Sequence, residues 1–462
     1  MHIFYHTLCI LNKLLNENIL NNYRDEKSMK KAAFYTLGCK VNQYETEALT
    51  GIFEKDGYAI VDFEEKADVY VINTCTVTNL SDRKSRQMIR RAKKNNEDSI
   101  VVVVGCYAQT APEEVSKIPG VSLILGTKER SRILDYIHEI KEGREDQINA
   151  VNDIMGTRYF EQLQVESYKE KTRAFLKIQE GCSQFCSYCI IPYARGPIRS
   201  RQPEEVLEEV GKLAEAGFKE VVLTGIHVAS YGKDIKNTSL IDIIRRVHEV
   251  EGIERIRLGS IEPTTITEEF VAAARGLDKL CPHYHISLQS GCDATLKRMN
   301  RRYTAEEYKK VVDRLRENLG DVAITTDVMV GFPGETDEEF AETLRFLQEI
   351  QLYQMHIFKY SPRKGTPAAT YPDQVSSEKK DERSNTLISL SSRNTLDFNQ
   401  QHVGKILLVL FEQDVKEKPG FIEGLTTNYI RVLCEGSADM NGKILKVRIE
   451  KAEEDYVVGV LV

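Results

Sequence analysis

Three cysteines, Cys182, Cys186 and Cys189, fall within one short stretch, IQEGCSQFCSYCIIPYARG. Spaced by three and then two residues, their thiolates can converge on one soft-metal centre and oblige the chain between them to wrap around it. Zinc is one candidate occupant, but a structural zinc site takes a fourth protein ligand and none stands obviously close. A four-iron cluster held by only three thiolates instead keeps one iron open for a small chelating group. On spacing alone, a zinc loop, three structural cysteines and an iron–sulfur loop all remain.

The chain has ten cysteines. It lacks a secretory signal with a clean cleavage site and any run of about 18 apolar residues. A reducing, cytoplasmic setting is therefore expected, and disulfides are the poorer explanation. Metal ligation accounts for six of the ten. Besides the triplet these are Cys39, Cys75 and Cys106, each directly after a predicted strand: FYTLGC, YVINTC and VVVVGC. Parallel strands bring their carboxyl ends to one edge of a sheet, so these three thiols can meet although far apart in sequence. Cys9, Cys281, Cys292 and Cys434 read as small hydrophobes.

The length admits several domains. Residues 1–28 begin with an apolar stretch that Asn12, Lys13, Asn16 and Asn18 spoil as a membrane span, and they read as an extension or a misassigned start. Residues 29–145 alternate valine-rich strands with helical patterns, as in a small parallel α/β domain. Residues 146–172 read as a linker. Residues 173–395 repeat βα units, with strands at RAFLKIQ, EVVLTGI, RIRLGSI, YHISLQS, ITTDVMVGF and MHIFKYS, which implies an open or closed barrel. Residues 396–462 turn to short strands between glycine-rich turns, as in a small β-barrel.

The cysteine loop, the strand-end cysteines and the opening TLGCKVNQYETEA together resemble the methylthiotransferases, a family of radical S-adenosylmethionine enzymes. The likeness is greatest to the branch that modifies threonylcarbamoyladenosine in tRNA. It implies a partial (β/α)6 barrel in the central domain and a TRAM-like, tRNA-binding barrel at the end. It implies two [4Fe-4S] clusters. One, on Cys182, Cys186 and Cys189, would cleave S-adenosyl-L-methionine; the other, on Cys39, Cys75 and Cys106, would hold the sulfur to be transferred. Tyr188 is matched to the residue that meets the adenine of the cofactor. Thr224 and Gly225 are matched to its methionine amino group, and Ser260, Glu262 and Gln289 to its ribose or amino-acid end. Asn42, Asn73 and Asn79 flank the second cysteine set, where amides can orient thiolates or cap helices.

The implied reaction is methylthiolation of C2 of N6-threonylcarbamoyladenosine next to the anticodon. Partners implied are the tRNA anticodon stem-loop, an electron donor such as flavodoxin or ferredoxin, and a sulfur donor; a monomer away from any membrane is expected. Isopentenyladenosine in tRNA, a ribosomal-protein aspartate, and a zinc-stabilised RNA-binding adaptor are the alternatives. A formal net charge of -7 argues against indiscriminate nucleic-acid binding but leaves room for a local basic patch. Such a patch is offered by SDRKSRQMIRRAKKNN, with Arg83, Lys84, Arg86, Arg90, Arg91, Lys93 and Lys94. Arg195, Arg199, Arg201, Arg298, Arg301 and Arg302 are further candidates to reach RNA.

Overall fold

The computed structural model describes residues 29–163, 165 and 172–462; the expected extension at 1–28, with Cys9, lies outside them. In the first unit the strands are β1 (Lys31–Thr36), β2 (Ala59–Val61), β3 (Val69–Thr74), β4 (Ile100–Gly105), β5 (Val121–Ile124) and β6 (Ile148–Asn149). They form one sheet in the order β2-β1-β3-β4-β5-β6, every pair parallel. Alternate residues of β3 and β4 serve opposite faces. Tyr70, Ile72, Val101 and Val103 pack on one side, and Val69, Val71, Val102 and Val104 on the other. Both faces are thus covered by helices, which is why these strands read as unbroken apolar runs. β2 and β6 are too short to show alternation in sequence. β6 lies in the stretch read as a linker, yet it pairs with β5.

The central unit contains β7 (Arg173–Glu180), β8 (Arg199–Ser200), β9 (Glu220–Gly225), β10 (Arg255–Leu258), β11 (His283–His285), β12 (Ala323–Val330) and β13 (Gln354–Lys359). Two sheets form, β10-β9-β7-β8 and β11-β12-β13. Isolated parallel bridges, Ile256 with Leu280 and Ile261 with Ile286, join them. Six parallel strands therefore make one curved, incomplete wall, the partial (β/α)6 barrel expected, with β8 antiparallel on the edge of β7. Ala174, Leu176, Val221, Leu223, Ile256, Tyr284 and Val328 face outward into a core shared with the helices. By alternation, Arg173, Phe175, Lys177, Glu220, Thr224, Arg257, His283, His285, Asp327 and His356 line the concave side. The strand read from YHISLQS is cut to three residues. Beyond His285 the backbone alternates partners, with Ile286 donating to Thr325 O, Ser287 to Ile261 O and Gln289 to Asp327 O.

The helix Ser377–Gln400 leads into β14 (Ile406–Asp414), β15 (Phe421–Thr426), β16 (Arg431–Glu435), β17 (Ile444–Ala452) and β18 (Val457–Leu461). These close in the order β14-β15-β16-β18-β17, leaving no free edge. The small barrel sits across the amino ends of the wall. Arg255 donates to Leu408 O and Leu425 O, both at 2.9 Å, and Arg257 to Thr426 O at 3.1 Å and Thr427 O at 3.0 Å. Arg257 also pairs with buried Glu220 at 2.8 Å, and Tyr429 stacks on His283 with ring centroids 4.1 Å apart. Arg257→Met would leave Glu220 and two carbonyls short of their donor. We expect a loss of about 3 kcal/mol in urea unfolding; an unchanged midpoint would mean that Arg173 and Arg255 suffice. Among the described residues no helix is long and apolar enough to cross a membrane.

Candidate functional site

Cys39, Cys75 and Cys106 stand at the carboxyl ends of β1, β3 and β4, three adjacent strands of one sheet. Two glycines make the approach possible. Gly38, at φ +107, lies so close to Cys75 that an added Cβ would be 2.9 Å from the Cys75 Cβ. Gly105, at φ +96, would place a Cβ 2.5 Å from Asn73 Oδ1 and 2.7 Å from Thr74 O. Cys39 stands at the N-cap position of the helix Lys40–Lys55.

Asn42 and Asn73 hold this edge together. Asn42 Nδ2 donates to Leu37 O at 2.6 Å and Thr74 O at 3.1 Å, and its Oδ1 accepts the Cys39 thiol at 3.8 Å. Asn73 Nδ2 donates to Asn42 O at 3.0 Å. Asn79 turns elsewhere, donating to Pro362 O at 3.2 Å and accepting from Arg363 at 2.6 Å.

Arg195, from the tail of the other cysteine loop, crosses into this site. Its Nε–H donates to Cys106 Sγ at 3.1 Å, and Nη2 donates to Asn42 Oδ1 at 2.5 Å. Its Nη1 reaches Glu45 at 2.6 Å and Glu180 at 3.0 Å. Glu45 also pairs with Arg130 at 2.6 Å and Lys177 at 3.0 Å, while Arg130 binds Glu161 at 2.7 Å. Three acids and three bases are therefore interleaved between the first two units. Burial alone would raise the Glu45 carboxyl; Arg130, Arg195 and Lys177 more than offset it and hold it well below the glutamate range.

At the other site, Cys182 follows β7, and its N–H donates to Gly196 O at 3.0 Å. Gly181, at φ +73, passes so near Pro197 that a Cβ would fall 1.9 Å from its carbonyl oxygen. Cys186 Sγ accepts from Arg301 Nη1 at 3.3 Å. Arg301 is held in turn by Glu262 at 2.8 Å, and Glu262 faces His227 at 3.5 Å.

Burial pushes the Cys106 and Cys189 thiols up to about 12 and Cys182 to about 11, whereas Cys39 is exposed. Within each set the thiols also raise one another. Such buried thiols ionise when a positive centre arrives. Three soft donors and one guanidinium bonded to sulfur at each place suit an iron–sulfur cluster. Among the described residues no three His, Cys, Asp or Glu side chains sit close enough to hold a single metal ion.

The remaining candidates lie around the second loop. Thr224 and Gly225 end β9; Thr224 is buried, and a Cβ on Gly225 would come within 2.9 Å of Gln179. Gln179 Oε1 accepts the His227 N–H at 2.6 Å. Ser260 is exposed beyond β10, and Gln289 takes a left-handed turn, φ +72, between its neighbours. Tyr188 packs edge-on against Phe332 at 6.4 Å, and burial raises its hydroxyl.

The arginines expected to reach RNA are mostly spent inside the protein. Arg195 and Arg301 bind cysteine sulfur, Arg201 pairs with Glu209 at 2.5 Å, and Arg298 with Glu339 at 2.9 Å. Arg199 donates to Pro197 O at 2.8 Å, and Arg302 is exposed. The sulfur-bonding roles of Arg195 and Arg301, and the buried acids beneath them, went unseen in the sequence.

Two family models match the chain: the radical SAM superfamily over residues 176–347, and an uncharacterized protein family, UPF0004, over residues 31–126. The chain is 48% identical to the threonylcarbamoyladenosine tRNA methylthiotransferase MtaB of Bacillus subtilis, covering 93% of this chain and 96% of that one. It is 42% identical to the protein of that name from Aquifex aeolicus, over 91% and 100% of the two chains. The tRNA-2-methylthio-N(6)-dimethylallyladenosine synthase of Pelotomaculum thermopropionicum is 37% identical, over 94% and 98%. Among solved structures, the radical S-adenosylmethionine methyltransferase TsrM of Kitasatospora setae shares the fold, with TM-score 0.53 and 16% identity over 74% of each chain.

Proposed function

This chain belongs to the methylthiotransferase family of radical S-adenosylmethionine enzymes, and we infer that it methylthiolates C2 of N6-threonylcarbamoyladenosine in tRNA. The product is 2-methylthio-N6-threonylcarbamoyladenosine. The observation that carries the choice of substrate is the 48% identity to a threonylcarbamoyladenosine enzyme, against 37% to a dimethylallyladenosine enzyme. The test is mass spectrometry of nucleosides from tRNA incubated anaerobically with reconstituted protein, reductant, sulfide and S-adenosylmethionine. A methylthio gain on tRNA carrying threonylcarbamoyladenosine, and none on tRNA carrying isopentenyladenosine, is expected. The reverse result would overturn the substrate, and no gain on either RNA would point to a protein substrate.

Cys182, Cys186 and Cys189 would hold one [4Fe-4S] cluster with an iron open to S-adenosylmethionine, and Cys39, Cys75 and Cys106 an auxiliary one. When bound, these groups supply the reductive cleavage that yields a 5′-deoxyadenosyl radical, and the sulfur that is transferred. Arg301 and Arg195 each place a guanidinium on a cysteine sulfur and so offset thiolate charge out of water. Glu262 and His227 fix Arg301; Glu45, Glu180 and Asn42 fix Arg195. Thr224, Gly225, Ser260 and Gln289 offer backbone and short side chains at the carboxyl ends of the wall, where a cofactor is received in such folds. Tyr188 lines the same loop. The domain bounds read from sequence, 29–145, 173–395 and 396–462, divide these tasks among auxiliary site, radical site and RNA-binding barrel. A flavodoxin- or ferredoxin-like protein would supply electrons, and a separate donor the sulfur.

On the helix Asn79–Asn95, Arg83, Lys84, Arg90 and Lys94 are exposed, whereas Arg91 is paired with Glu64. This face would meet tRNA phosphates beside the auxiliary site. Arg83→Ala with Lys84→Ala should weaken binding of any tRNA and lower the slope of log K against log salt by about 1 for each phosphate no longer neutralised. An unchanged slope would remove this helix from the interface.

A further inference from the structure

Four buried arginines in this protein are matched to carboxylates: Arg195 to Glu45, Arg257 to Glu220, Arg301 to Glu262 and Arg383 to Glu335. Lys40 departs from that pattern. It is the first residue of the helix Lys40–Lys55, directly after Cys39, and is half-buried. Among the described residues its ammonium has no carboxylate within ion-pair reach. Its contact is the ring of Phe175, on the concave side of β7, with the nitrogen 5.7 Å from the ring centroid. That contact sets the ammonium against the concave side of the wall. Of the acids on the concave side, Asp327 is engaged by His285 at 3.2 Å and Glu220 by Arg257 at 2.8 Å. His356 and Phe358 are exposed, so the wall is open to a ligand here.

An ammonium drawn partly out of water without a counter-ion is unfavourable. Lys40 follows Cys39 in the chain and rests on the concave wall, where an anion from outside would complete it. We propose that Lys40 binds the carboxylate of the threonylcarbamoyl group and so distinguishes an acid-bearing adenosine from one with an uncharged N6 substituent. The contact rests on the substrate reading above, and binding measured beside turnover separates the two.

The probe is a fluorescent anticodon stem-loop RNA carrying threonylcarbamoyladenosine or its methyl ester, added to holoprotein of verified iron and sulfide content. Wild type should prefer the acid by about tenfold. Lys40→Gln should bind both RNAs as weakly as wild type binds the ester. Should that variant lose its iron, Lys40→Met, which keeps the stem on Phe175, takes its place. Equal affinity of wild type for acid and ester overturns the proposal without any variant having to fold. A preference that survives loss of the ammonium overturns it too. Absence of methylthio gain on the acid RNA, with the preference intact, would sink the substrate reading and leave the carboxylate contact standing.

Discussion

Cys75→Ala should abolish methylthio transfer while leaving reductive cleavage of S-adenosylmethionine measurable. The variant removes, at the end of β3, one of the three thiols proposed for the auxiliary site. It leaves untouched the Cys182 loop, the Arg301–Cys186 contact and the Glu262 brace beneath them. Nucleoside mass spectrometry should fall below detection for the methylthio product, iron content should fall towards half, and 5′-deoxyadenosine should still form. Cys182→Ala should lose both activities. If Cys75→Ala kept methylthio transfer, the assignment of the auxiliary site would be wrong. If it lost cleavage as well, the two sites would be one functional unit.

Arg195→Met should be the most damaging substitution at a residue that ligates nothing. It deletes the donor to Cys106 and to Asn42, and one of three cations on Glu45. Arg130 and Lys177 remain on that carboxylate, so we expect a loss of about 3 kcal/mol, at the lower end for a broken buried pair. Iron at the auxiliary site should fall with it. The pH dependence has a definite sign. Glu45 and Glu180 are pulled up by burial but brought below the ordinary glutamate range by the cations around them. Their contribution is complete above the unfolded value, about 4.3, and is lost as pH falls through the folded values. Without Arg195 both folded values rise towards the unfolded one, so acidification should take less stability from the variant, and its fall in Tm should be shallower and level off at higher pH than in wild type. Superimposable acid profiles would show that Arg195 does not govern these carboxylates.

The strand-end cysteines were legible in the sequence because valine-rich runs mark buried parallel strands, and parallel strands share an edge. The loop triplet was legible from spacing as three thiols able to converge on one centre. What covers the sulfurs was not. An arginine in YARG, or one following a short helix, looks in sequence like any solvated cation. Only packing shows that Arg195 is fully buried against a glutamate 150 positions away in the chain. Glu45 is hidden for a similar reason: it sits in the polar-looking run NQYETEA, and its helix buries an acid because three bases converge on it. The short strands β2 and β6 escaped because two or three residues carry no period. The shortened β11 escaped because its backbone switches partners where the wall's two sheets meet.

The interleaved acids and bases between the first two units have a mechanical consequence. Six charged side chains gripping one another across a dry seam act as a vice with fixed jaws, not as a hinge. The two sulfur centres therefore keep a set gap before anything enters. The nucleotide must accommodate to that gap, which for an adenosine in an anticodon loop means swinging its base clear of the stack.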